Sequence, residues 1–155
     1  MSGSLLLLLC SFGVYAQDTT LKMLPSITIT PATKVPSEVS KSFNASFQNA
    51  VDPAWYKMDQ NYLVKFLTDD QNNNALYGTS GELIYHIHYG FEQSLPSDIR
   101  DMIKSRYSDY NIAMAISVNE ANRNIWVVNL ESKSKYLIVR VENGVLEVVQ
   151  NLKKS

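Results

Sequence analysis

Val35-Pro36-Ser37-Glu38-Val39 is written again sixty positions on, as Leu95-Pro96-Ser97-Asp98-Ile99. Each phrase opens an amphipathic stretch. Val35, Val39, Phe43 and Phe47 recur every fourth residue, and Leu95, Ile99, Ile103 and Tyr107 do the same, so each quartet follows one gently drifting helical face. Proline is tolerated at a helix start, where its missing N–H has no intrahelical acceptor, and Glu38 or Asp98 there complements the positive helix end. The spacing predicts two helices of about three turns each.

After each helix the period shortens to two. Asp52-Pro53 stops the first helix, and Trp55 to Met58 and Tyr62 to Thr68 flank a polar turn as a hairpin. A polar loop from Asp69 to Asn74 leads to a strand from Ala75 to Gly78, and Thr79-Ser80-Gly81 turns the chain into Glu82 to Tyr89. Strands follow the second helix at Ile112 to Val118, Ile125 to Leu130, Lys135 to Val141 and Val145 to Asn151, with Asn119 to Asn124 as a loop and Asn143-Gly144 as a tight hairpin turn. The expected fold class is α+β: two tandem repeats of one helix plus a four-stranded antiparallel meander, helices on one sheet face, the other face open. Residues 35–90 form the first repeat and 91–155 the second, together one compact domain. A unit of about 55 residues buries only about 60% of its unfolded surface. The units therefore share one sheet of about eight strands, or set two four-stranded sheets end to end.

Leu5 to Leu9 is an apolar run, and Val14-Tyr15-Ala16 closes it with the small-residue pattern of a signal-peptidase site. Residues 1–16 are thus expected to be a signal peptide, residues 17–34 an extended leader, and the mature chain exported, periplasmic or secreted. The run is shorter than the roughly 20 residues a membrane helix needs, so no stable membrane insertion is expected. Within the leader, Ile27-Thr28-Ile29-Thr30 alternates and could add an edge strand. Leu9 is bulky where a lipoprotein signal before Cys10 needs a small residue. Cleavage after Ala16 removes Cys10, the only cysteine, and with it disulfides and thiolate chemistry.

A formal net charge of -1 provides no field to hold a phosphate backbone, so nucleic acid is not an expected partner. His86-Ile87-His88 puts the only two histidines on one face of a strand, the one candidate metal pair. A hydroxyl nucleophile would need a base, and only those histidines could supply it. Asp69-Asp70 lies in a polar turn where solvated charge is ordinary, and there is no glycine-rich phosphate loop. The chain is read as non-enzymatic and without cofactor. The remaining signal is aromatic: nine Tyr, five Phe and two Trp. Phe43, Phe47, Tyr62, Phe66 and Trp126 alternate correctly for a core. Tyr56, Tyr110 and Tyr136 are candidates for the open face, where rigid amphipathic rings make contact points, with Lys65, Arg140 and Glu147 as rim charges.

Val-Pro-Ser-Glu-Val, then Phe43 and Phe47, then Asp52-Pro53-Ala54-Trp55, then Tyr62-Leu63-Val64-Lys65-Phe66, resembles the PepSY-like family of exported bacterial proteins, also described as similar to beta-lactamase inhibitor proteins. The resemblance runs from Val35 to Asn151. It implies a helix on a four-stranded meander, repeated, in exported proteins of Bacteroidetes-type bacteria that have no assigned reaction. By analogy it implies binding or restraint of a peptidase or another envelope protein. The second half departs from the pattern, with Ala115 near the position corresponding to Trp55. Two functions follow as expectations: a partner-binding protein using the open sheet face at Tyr56, Lys65, Tyr110, Tyr136 and Arg140, or a small-ligand or metal-binding module using His86 and His88.

Overall fold

The computed structural model describes residues 26–155. The expected signal peptide, Cys10 and the leader up to residue 25 lie outside the described residues. The chain runs β1 (Ile29–Pro31), α1 (Ser37–Ser46), β2 (Val51–Met58), β3 (Asn61–Thr68), β4 (Gln71–Tyr77), β5 (Leu83–Gly90), a 3₁₀ turn (Glu92–Ser94), α2 (Ser97–Arg106), β6 (Asn111–Glu120), β7 (Arg123–Glu131), β8 (Lys135–Glu142) and β9 (Val145–Lys153).

Those strands form one antiparallel sheet in sequence order, β1 to β9. This corrects the expected α+β class of two tandem helix-plus-meander repeats: the described chain is mostly β, a single nine-stranded sheet with two α-helices. The junction decides the matter. β5 pairs with β6 along Tyr85↔Glu120 to Gly90↔Ala115, so the sheet passes without a break across the chain segment that carries α2. β1 adds a ninth strand ahead of α1, pairing Ile29 with Met58 and Pro31 with Tyr56. Local periodicity marks where a strand begins, but it cannot state which edge a strand will join, and hydrogen bonding along an unpaired edge favours continuation.

Two expected loops are also corrected. Gln71 to Asn74 belongs to β4, because Asp69 and Asp70 both take positive φ (50° and 60°) and close the turn in two residues. Aspartate tolerates that left-handed conformation better than most side chains. The expected loop at Asn119 to Asn124 shrinks in the same way to Ala121-Asn122, between Glu120 and Arg123. Each helix begins after its proline, with Pro36 and Pro96 as N-caps, and ends at an aromatic C-cap, Phe47 and Tyr107.

Cross-strand partners point to the same side of a sheet, so the register sorts the faces. Val64, Ala75 and Tyr77 share a face with Val39 and Phe43 of α1 packed on it. Across β5 and β6 the same face continues as Ala115, Trp126, Val128 and Val139 beneath Leu95 and Ile103. Both helices therefore cover one side. Among the described residues no helix is long and apolar enough to cross a membrane.

Candidate functional site

The face away from the helices is read off the same register. Its first row crosses four strands as Tyr56, Leu63, Leu76 and Tyr85. Two tyrosines bracket two leucines that are themselves buried. The next row runs Lys65, Asn74, Ile87, Val118, Ile125 and Glu142, and a third runs Tyr89, Ile116, Val127, Arg140 and Glu147. From β5 to β7 the middle of this face is apolar, and Tyr85, Ile87, Ile116, Val118 and Val127 are all half-buried.

Four of the seven sequence-predicted site residues lie on this face. Tyr56 and Lys65 stand at one end, with the Lys65 ammonium 5.3 Å from the centre of the Tyr56 ring. Tyr136 and Arg140 stand at the other, on β8. β3 and β8 are five strands apart, about 24 Å at the usual spacing, so the four residues mark two margins and not one cluster. Tyr136 is 47% exposed and lies under the Lys154 ammonium, 4.7 Å from its ring centre. Arg140 is engaged in ion pairs with Glu142 and with Glu147, the latter at 3.1 Å, and Arg123 adds a bond to Glu142 at 2.7 Å. That margin is an ion-pair cluster rather than a set of free rim charges.

Tyr110 is not brought to this face. It packs against the core beneath α2, edge-on to Tyr107 with ring centres 5.9 Å apart. The loop between α2 and β6 falls on the helix side, which strand alternation cannot reveal for a residue outside a strand.

His86 and His88 share one face, but it is the helix-covered face and not the outer one. The His86 ring lies 4.8 Å from Phe47 and 6.2 Å from Phe66. Its Nε2 is 2.9 Å from Oδ1 of Asn73, a buried amide whose own Nδ2 donates to Thr68 Oγ1 and to the Gln71 carbonyl. With that amide orientation His86 is the neutral Nε2–H tautomer donating to Asn73. Burial, and then the neighbouring His88, push its pKa down from 6.5 to about 4, and burial lowers His88 as well. Among the described residues no group of three His, Cys, Asp or Glu is placed to hold a metal ion. His86 reads as a packed core polar group.

Burial also raises the Tyr85 phenol, with Tyr89 as a second cause. Tyr85 therefore stays a neutral hydroxyl on the open face, and Asn74 Nδ2 donates to the Tyr89 hydroxyl at 3.3 Å.

No family model matches the chain, and no curated protein matches it. Solved structures do. A BLIP-like protein from Bacteroides fragilis NCTC 9343 superposes with a TM-score of 0.60 at 12% identity, over 79% of this chain and 88% of that one. The fold is shared with BLIP-like proteins. A DUF2874 family protein from Bacteroides uniformis ATCC 8492 gives 0.58 at 12% identity, covering 77% and 90%. A chain described as a candidate periplasmic protein of Bacteroides eggerthii DSM 20697 gives 0.57 at 13%, covering 77% and 89%. At these identities the likeness is one of fold. The PepSY-like name has no separate support from these structures.

Sequence reasoning missed the apolar middle of the open face. The signal was present: Ile125-Trp126-Val127-Val128 is apolar at every position, as is Tyr62-Leu63-Val64, whereas a strand with one solvated face alternates.

Proposed function

We propose that this is a non-enzymatic, exported binding protein that engages a peptidase or another envelope protein through the open face of its sheet. The observation that carries the reading is the half-buried apolar field of Tyr85, Ile87, Ile116, Val118 and Val127, with Tyr56 and Lys65 toward one margin and Tyr136 and Arg140 toward the other. Contiguous apolar surface with aromatic and cationic borders is the composition of a protein contact surface. The fold shared with a BLIP-like protein supports the same direction by analogy. Export is supported by the apolar run that ends at Val14-Tyr15-Ala16 and by the likeness to a candidate periplasmic protein.

Ile87 and Val118 lie opposite each other near the centre of the field. A photo-crosslinking residue at Ile87 in cells is expected to capture one dominant envelope protein, and the same residue at Lys57, on the helix side, is not. With that protein purified, Ile87→Lys is expected to weaken binding by about 2 kcal/mol or more while circular dichroism stays unchanged. Capture from Lys57 but not from Ile87 would sink the proposal.

A further inference from the structure

β9 pairs with β8 alone, so its other edge is free among the described residues. Which backbone groups that edge presents follows from two fixed points. Glu142 and Val145 flank the two-residue turn Asn143-Gly144, whose φ angles are 51° and 74°. Residues flanking such a turn exchange both their backbone bonds, so Val145 and Glu147 turn toward β8 while Leu146 and Val148 turn outward. At the far end the Lys154 N–H donates to the Ser134 carbonyl at 2.9 Å. Lys154 and Leu152 therefore turn inward, and Asn151 and Lys153 outward. The two alternations are out of phase because the register shifts at Ile138/Val139, leaving Val149 as an inserted bulge residue.

The outward residues are thus Leu146, Val148, Asn151 and Lys153, with steps of two, three and two. That spacing is its own mirror. A regular strand presents outward groups at every second residue and can match this edge on only one side of the bulge. A second copy run antiparallel matches it throughout: Leu146 opposes Lys153 of the second copy, Val148 opposes Asn151, and each pair recurs across the axis.

The side chains agree. Val148 and Leu146 share the helix side, by their pairing with Val139 and Val141, and so do Asn151 and Lys153, by Leu137 and Lys135. Glu147 meets Leu152 on the open side, and no like charges face each other. Val145, Val148, Val149 and Leu152 are 58%, 51%, 60% and 48% exposed, four of the ten exposed large hydrophobics of the described chain. The opposite edge is blunted: β1 has three residues and ends in Pro31, which has no N–H to donate. Association through β9 therefore closes at two and does not propagate into a filament.

We propose that the free edge of β9 is a self-association site, on which a second copy of this chain pairs antiparallel about a two-fold axis between Val149 and Gln150. The two sheets become one, with about eight new backbone hydrogen bonds, two at each directly opposed pair.

Sedimentation across a concentration series, with hydrogen exchange read at single amides, tests this on the mature chain. The expected result is a monomer–dimer equilibrium in which the amides of Leu146, Val148, Asn151 and Lys153 gain protection as concentration rises. Val148→Pro removes one outward donor and no inward one, and Val149→Lys sets like charges near the axis. Each should move the dimerisation midpoint at least about tenfold upward in concentration, with the melting temperature of the monomer preserved. If Val148→Pro fails to fold, Val149→Lys decides alone, because its side chain is exposed. A chain that stays monomeric up to the solubility limit overturns the proposal. So does a dimer that leaves those four amides unprotected, or one that Val149→Lys does not weaken.

Discussion

Under α1 the core is filled with rings. Phe43 lies 5.0 Å from Phe66, 5.3 Å from Trp55 and 5.6 Å from Phe47, centre to centre, two of these contacts edge-on. Under α2 the corresponding space holds Ile103, Val128, Leu130, Leu137 and Val139 around Trp126. One sheet face thus supports two kinds of packing. The aliphatic half can adapt to many side chains of similar volume, whereas interlocked rings hold specific angles and leave less room for substitution. Each half also holds one buried polar side chain: Asn73, bonded to the His86 ring in the aromatic half, and Ser117, which lies across the strands from Trp126 in the aliphatic half.

The largest expected difference is in truncation. Phe43→Ala should cost about 3–5 kcal/mol and Ile103→Ala about 2–4, by urea unfolding of each variant. The volume-conserving changes sharpen the contrast. Ile103→Leu should stay below about 1.5 kcal/mol, and Phe43→Leu should exceed it, because three ring contacts are lost. Equal costs for the two leucine variants would remove the distinction between the halves.

Acid should act on the aromatic half first. The folded-state pKa of His86 is depressed to about 4 from 6.5, so between those values the unfolded chain binds the extra proton. The stabilisation from the neutral ring is full above about pH 6.5 and is lost as pH falls through the folded value, and His88 acts in the same direction. The loss should be on the order of 1–2 kcal/mol, less than the whole shift would convert to, because the ring is only partly buried. Subtracting the stability–pH curve of His86→Leu from that of the parent should isolate this step. A flat difference between pH 6.5 and 4 would show that His86 is solvated.

The smallest effect is expected at the ion pairs on the open face near β7 to β9. Arg123 is half exposed, and its bond to Glu142 should contribute no more than about 1 kcal/mol. Arg123→Ala should lower the melting temperature slightly in dilute buffer and not at all in 1 M salt. A loss that persists in high salt would mean that the arginine stem packs as well as pairs.

Several elements could be read before any coordinates. The two proline-led phrases mark the helix starts, and the four-residue spacing picks out Val39, Phe43 and Ile103, which are buried. Asn143-Gly144 announced its turn. Asp69-Asp70 and Ala121-Asn122 did not, since both polar stretches read as loops until neighbouring strands claimed them. The candidate site was legible at its margins, where Tyr56, Lys65, Tyr136 and Arg140 alternate in clear strands. Its apolar centre was hidden, because an apolar residue on the open side of a strand looks the same in sequence as one on the core side.

Sequence by itself determined the local periods, the helix starts and the set of side chains able to fill a core, because each depends on residues a few positions apart. Tertiary structure alone decided that β5 joins β6 to make one nine-stranded sheet, and that His86 lies beneath α1. It also turned an apolar field toward solvent and left the β9 edge unpaired. Those outcomes rest on hydrogen bonds and contacts between residues tens of positions apart, and no local period encodes them.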